Sequence, residues 1–101
     1  MSPAPAPLAL RIHADDNVVV VTAPVAAGTR IEVAGATLTA PADLKLGAKL
    51  ALRPIGAGEA VLKYGEPIGS ATRAIAAGEH VHVHNLRSDY LDHRAAREEG
   101  A

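Results

Sequence analysis

The chain has 101 residues, with 10 Lys and Arg against 11 Asp and Glu, a formal net charge of −1, and 49% hydrophobic residues. That length admits one small domain, and the balanced charge with neither Phe nor Trp argues against nucleic acid, whose binders show a basic stripe and stacking surfaces. The absence of cysteine excludes disulfides, thiolate metal sites and cysteine nucleophiles.

Met1 to Pro7 alternates Pro and Ala and lacks the basic and long apolar parts of a signal peptide. It reads as an extended, disordered lead-in. No apolar run approaches the roughly 20 residues of a membrane span, so a cytoplasmic location is the default expectation.

Leu8 to His13 and Val18 to Ala23 read as strands flanking the polar loop Ala14-Asp15-Asp16-Asn17. His13 stands where the first strand meets this loop, and its carboxylates could orient the imidazole or help bind a cation. They could equally be turn residues that bond their own backbone. Ile31 to Val33 and Thr37 to Thr39 flank Ala34-Gly35-Ala36 as a second hairpin candidate.

A turn-then-strand pattern recurs four times. Val25-Ala26-Ala27-Gly28 leads to Ile31 and Val33, and Leu44-Lys45-Leu46-Gly47 leads to Leu50 and Leu52. Ile55-Gly56-Ala57-Gly58 leads to Val61 but places Lys63 where an apolar residue is due, and Ile75-Ala76-Ala77-Gly78 leads to Val81 and Val83. A glycine that tolerates positive φ closes each turn, and the alternation that follows marks a half-buried strand. Unequal spacing of the copies excludes a solenoid. Pro24, Pro41, Pro54 and Pro67 punctuate strand borders.

Lys63-Tyr64-Gly65-Glu66-Pro67-Ile68-Gly69 reads as a loop fixed by two glycines and a proline. Its ammonium and phenol suit a carboxylate or a polyol hydroxyl. Downstream, Glu79-His80-Val81-His82-Val83-His84-Asn85 places three histidines at alternate positions. If the stretch is extended, the imidazoles share one face about 6.5–7 Å apart while the valines anchor the other. Such a face offers an acid, a base or a metal ligand, or else a solvated strand edge. Asp89 to Glu99 has the composition of a short C-terminal helix or a solvated tail. The expectation is a compact, mainly β domain over residues 8–88.

Three of these segments, in register, resemble the small SAF-type domain of altronate and galactarate dehydratases. They are Ile12-His13-Ala14-Asp15-Asp16-Asn17-Val18, Val61 to Gly69, and Ile75 to Asn85. The resemblance implies a β-clip fold and hydro-lyase chemistry on sugar acids, assisted by a divalent metal, Fe(2+) or alternatively Mn(2+). It implies catalytic roles for His13, His82 and His84, metal ligation by His80, His82 and His84, and substrate binding by Lys63 and Tyr64. The family's dehydratases carry this module at the front of a much longer chain. Related two-subunit enzymes, (2R)-sulfolactate sulfo-lyase among them, keep it as a separate polypeptide. The implied partner is thus a larger catalytic subunit that shares the metal, with the chain nearly inactive alone and homo-oligomerisation open. SAF-type domains also serve as non-enzymatic ligand-binding or assembly modules, which is the competing expectation.

Overall fold

A computed structural model describes residues 7–87. Residues 1–6 of the lead-in expected over Met1 to Pro7, and the C-terminal helix expected after Ser88, lie outside the described residues. Nine short strands follow in order: β1 (Ala9–Leu10), β2 (Val18–Val21), β3 (Arg30–Val33), β4 (Ala36–Thr39), β5 (Lys49–Ala51), β6 (Ala60–Lys63), β7 (Glu66–Ala71), β8 (His80–Val81) and β9 (Leu86–Arg87). The mainly β expectation holds. Among the described residues no helix is long and apolar enough to cross a membrane.

The central sheet has the order β1-β2-β5-β8, all antiparallel. β2 is an unbroken run of four valines because both of its faces are covered. Val19 and Val21 join Leu50, Ile31 and Leu44 in one apolar cluster, while Val18 joins Ala51, Val61, Ile75 and Val81 in another. Each such side chain contributes roughly 1.5–3 kcal/mol on burial. With apolar cover on both sides, the hydrophobic pattern alone does not penalise a one-residue slip of β2. The turns fix the register instead. Val21 donates its N–H to the Ala48 carbonyl at 2.8 Å and accepts the Gly47 N–H at 2.8 Å.

The four turn-then-strand copies are paired into two related halves. Val25 and Leu44 exchange both backbone hydrogen bonds, and so do Ile55 and Ile75. Gly28 donates to Ala40 as Gly58 donates to Ala71, and Gly47 to Val21 as Gly78 to Ala51. The four turn glycines share φ values of 81° to 91°. Between the paired turns each half extends a hairpin, β3–β4 in the first and β6–β7 in the second. Both hairpins close on a two-residue turn with positive φ throughout, Ala34-Gly35 at 52° and 79° and Tyr64-Gly65 at 59° and 74°. This is the turn whose twist suits a tight antiparallel hairpin.

Several sequence boundaries are corrected. β1 is shorter than Leu8 to His13, and Lys63 to Gly69 is a tight hairpin rather than a loop. Pro67 lies inside β7, opposite Leu62 where a bulge shifts the register. Gly69 is buried where β9 crosses β7, and a Cβ built on it would overlap the Arg87 carbonyl. We expect Gly69→Ala to push β9 away and cost about 1–3 kcal/mol, read as a lowered Tm in thermal circular dichroism. Gly56→Ala is the matched control, because a Cβ there meets only the Glu59 side chain at 3.7 Å. Its Tm should stay close to that of the original chain.

Candidate functional site

The Asp15-Asp16-Asn17 loop does more than close a turn. Asp16 is 4% exposed, and its carboxylate accepts three backbone N–H groups. His13 donates to Oδ2 at 3.0 Å, Tyr64 to Oδ2 at 3.0 Å and Gly65 to Oδ1 at 2.7 Å. Burial pushes the Asp16 carboxyl up, but the bonds from Gly65, Tyr64 and His13 outweigh it and hold the group below its ordinary value. The carboxylate therefore orients backbone, not the imidazole. Next to it, buried Asn17 accepts the Leu62 N–H at 2.8 Å and donates to the Ala60 carbonyl at 2.9 Å. Together they join the first loop to the β6–β7 hairpin.

This join places His13 on the hairpin tip. The ring lies against Gly65, where an added Cβ would meet three ring atoms at 3.0 Å, so the contact needs glycine for space as well as for its φ of +74°. His13 Nδ1 accepts the Asp15 N–H at 3.0 Å, which leaves Nε2 as the site of the proton in the neutral ring. On the same tip the Lys63 ammonium sits 5.1 Å from the centre of the exposed Tyr64 ring. Two motifs 50 residues apart in sequence thus form one surface (His13 to Lys63).

The histidine stretch is not one extended strand. β8 ends at Val81, and residues 82–85 turn. The cause is Asn85, fully buried, whose Oδ1 accepts the His82 N–H at 2.9 Å while Nδ2 donates to the His80 carbonyl at 2.9 Å. Asn85 and Leu86 also donate their N–H groups to the His82 carbonyl. Val83, expected to anchor on the core, is instead 75% exposed. The turn nevertheless gathers the imidazoles. His80 and His82 stack with centres 5.4 Å apart and planes within 7°, and His84 lies 6.1 Å from His80 at a tilt of 58°. Burial, then His82, His84 and Lys49, lower the pKa of His80, so it is a neutral imidazole near pH 7.

Lys49, which the sequence reading passed over, adjoins the histidine group. It is half-buried in β5 and lines an open cleft of about 380 Å³ with His80, His82, Lys45 and Leu46. Burial and the neighbouring Lys63 lower its pKa. His13, Lys63 and Tyr64 do not line that cleft; of the three, Lys63 lies within electrostatic reach of Lys49. The site is an open surface in two parts.

For a metal, the donor geometry does not fit. Among the described residues no three His, Cys, Asp or Glu side chains are gathered to hold an ion. Stacked parallel rings such as His80 and His82 direct their nitrogens alongside one another, not toward a common point. Among the described residues, His80, His82 and His84 are gathered as a stacked and tilted group, not as a three-ligand set.

The Asp16 clamp has a pH signature. A carboxyl whose folded pKa is depressed contributes stability above its unfolded pKa, near 3.8, and loses it as pH falls through the lower folded value. We expect Asp16→Asn to cost roughly 1–3 kcal/mol at neutral pH, because an NH₂ group then faces backbone donors. The difference from the original chain should shrink below about pH 4 as Asp16 itself protonates. Urea unfolding across pH measures both.

Comparison with known proteins agrees with this construction. A family model described as the altronate/galactarate dehydratase SAF domain matches residues 7–89. Altronate dehydratase of Escherichia coli (strain K12) is 48% identical over 83 residues, 82% of this chain and 17% of the relative. Altronate dehydratase of Bacillus subtilis (strain 168) is 37% identical with the same coverage. The (2R)-sulfolactate sulfo-lyase subunit alpha of Paracoccus pantotrophus is 45% identical over 51 residues, half of this chain and 76% of the relative. The chain thus spans about a sixth of the length of the dehydratases it matches. With its compact β architecture and a match across nearly all of its described length, the chain belongs to the SAF domain family of altronate and galactarate dehydratases.

Proposed function

We propose that the chain is the small subunit of a lyase that eliminates water from a sugar acid, completing the active site of a larger catalytic partner. The observation that carries this reading is the clamp by Asp16, which sets His13 beside the Lys63-Tyr64 tip on a surface that remains open. Leu46, 68% exposed at the histidine cleft, and the exposed Val83 in the adjoining turn leave apolar surface for the partner to cover. The sulfo-lyase relatives named as subunits support a separate small chain.

The chemistry follows from the side chains. Elimination beside a carboxylate begins with removal of the α-proton, and neutral His80, in contact with His82 and His84, accepts it. Lys63 and Tyr64 hold the carboxylate and oppose the charge that develops on it in the enediolate. His13, with its proton on Nε2, donates a hydrogen bond to the departing β-hydroxyl, and the proton that His80 has taken leaves with that hydroxyl as water. The resulting enol tautomerises to a 2-keto-3-deoxy acid. A divalent metal, expected as iron or manganese from the family, would draw its ligands mainly from the larger partner, where it would polarise the substrate.

Mixing the chain with its larger partner and an aldonic or aldaric acid should yield 2-keto-3-deoxy acid, with neither component active alone. His80→Gln in the complex should lower kcat by about 10²–10⁴-fold. Full activity of the large component by itself would refute the proposal. Because sulfo-lyase relatives are also similar, released sulfite from a sulfonated acid is assayed in parallel, and its dominance would reassign the leaving group.

The metal expectation is tested separately. The isolated chain should retain no stoichiometric Fe(2+) or Mn(2+) after gel filtration, whereas the complex should contain a divalent metal and lose activity to chelators. Metal analysis of both samples decides it. A metal-free complex that is fully active would remove the metal from the reaction.

A further inference from the structure

Two asparagines hold the strand starts of the second half in the same way. Asn17 donates Nδ2 to the Ala60 carbonyl at 2.9 Å and accepts the Leu62 N–H at 2.8 Å. Asn85 donates Nδ2 to the His80 carbonyl at 2.9 Å and accepts the His82 N–H at 2.9 Å. In both cases one amide spans the carbonyl of a residue and the N–H two residues on, the pairing a neighbouring strand would supply. The match continues in the backbone. The Asn17 carbonyl accepts the Leu52 N–H at 2.9 Å, and the Asn85 carbonyl accepts the Thr72 N–H at 3.0 Å. Each asparagine therefore closes the same stretch, 52–62 in one copy and 72–82 in the next.

The turns inside those stretches are braced alike. Arg53 pairs with Glu59 and Arg73 with Glu79, and the two glutamates accept the N–H of Gly56 and of Ala76. Asn85 Nδ2 also reaches Glu79 Oε2 at 3.4 Å, and Asn17 helps hold the Glu59 carboxyl low. The first-half turns lack this brace, with Ala23 and Thr29, and Ala42 and Ala48, in the matching places. Both asparagines are closed off from solvent, at 1% and 0% exposure. Asparagine offers a donor and an acceptor on one planar group, as a peptide unit does, whereas an Asp carboxylate accepts twice and opposes the carbonyl. We propose that Asn17 and Asn85 are a matched pair of positioning residues, Asn17 setting the Lys63-Tyr64 tip and Asn85 setting the His80-His82 stack. The assignment deepens the lyase reading and rests on it for what each half does, the tip holding the substrate carboxylate and the stack taking the proton.

The test separates positioning from a purely structural role. On the full chain without any partner, amide exchange followed by ¹H–¹⁵N NMR should find the Leu62 and His82 N–H groups protected, although His82 lies beyond the end of β8. Asn85→Asp keeps the size and removes the donor. It should abolish the NMR contacts between the His80 and His82 rings and leave the Lys63 and Tyr64 amide shifts in place, and Asn17→Asp should do the reverse. Where an Asp variant does not fold, the Ser variant, too short to span both groups, replaces it. In the complex, per folded molecule, Asn85→Asp should lower kcat by about 10–10²-fold at little changed KM, and Asn17→Asp should raise KM more than it lowers kcat. Ile31→Val, a change in the buried core of the other half, should lower Tm without either signature.

Free exchange of the Leu62 or His82 amide in the original chain overturns the pair. So do folded variants that keep the ring contacts and the tip shifts, or that lower kcat alike at unchanged KM, since the asparagines then serve stability only. Both NMR signatures in the chain, beside a complex that eliminates nothing from any acid, leave the positioning standing and refute the lyase reading alone.

Discussion

The Asp16 carboxylate fixes the hairpin-tip half of the candidate site. A carboxylate withdrawn from solvent is costly unless its lone pairs are filled. The residues that fill them come from two places, His13 beside it and Tyr64-Gly65 at the far hairpin. The β6–β7 tip therefore cannot move independently of the first loop without exposing an unsatisfied charge. Side chains on that tip inherit a fixed position from a group that touches no ligand itself.

This constraint explains how a duplicated fold comes to carry chemistry on one copy. Both halves build the same paired turns and the same tight hairpin. In the first half the hairpin tip reads Val33-Ala34-Gly35-Ala36, with nothing to donate or accept beyond its backbone. In the second it reads Lys63-Tyr64-Gly65-Glu66, and only that tip is gripped by Asp16. The strained φ of Tyr64 is not itself the functional mark, because Ala34 adopts nearly the same value in the same turn. The mark is the carboxylate. The second position after each turn glycine tells a similar story: Lys49 follows Gly47 as His80 follows Gly78, so equivalent positions of the two copies supply the cation and the imidazole.

Much of the architecture was legible because turn and strand signals are local. Each turn glycine and the alternation after it depend on a handful of adjacent residues; all four turns form as read, although the strand after Gly78 ends at Val81. The pairing of the devices into two halves was hidden, since it rests on hydrogen bonds between residues 19 or 20 apart, such as Val25 with Leu44 and Ile55 with Ile75. The histidine strand failed for a related reason. Alternation favoured an extended run, but the Asn85 side chain captures the His82 N–H and the His80 carbonyl, and bending the chain satisfies more polar groups than extending it. Lys49 went unread because a lysine flanked by apolar residues has the pattern of any half-exposed strand. Only the fold shows that its neighbours are cationic or titratable.

The distribution of charge then follows from how the acids are used. Overall the chain is close to neutral, yet Asp16 is consumed by backbone, Asp43 caps Ala27, and Glu59 and Glu79 each close their own turn while pairing with Arg53 and Arg73. Those carboxylates are bound locally, where they stabilise turns. Lys45 and Lys49 line the histidine cleft, while Lys63 stands across its hairpin from Glu66. The histidine cleft is thus lined by two lysines and two imidazoles against the one carboxylate of Asp43, which already accepts the Ala27 N–H.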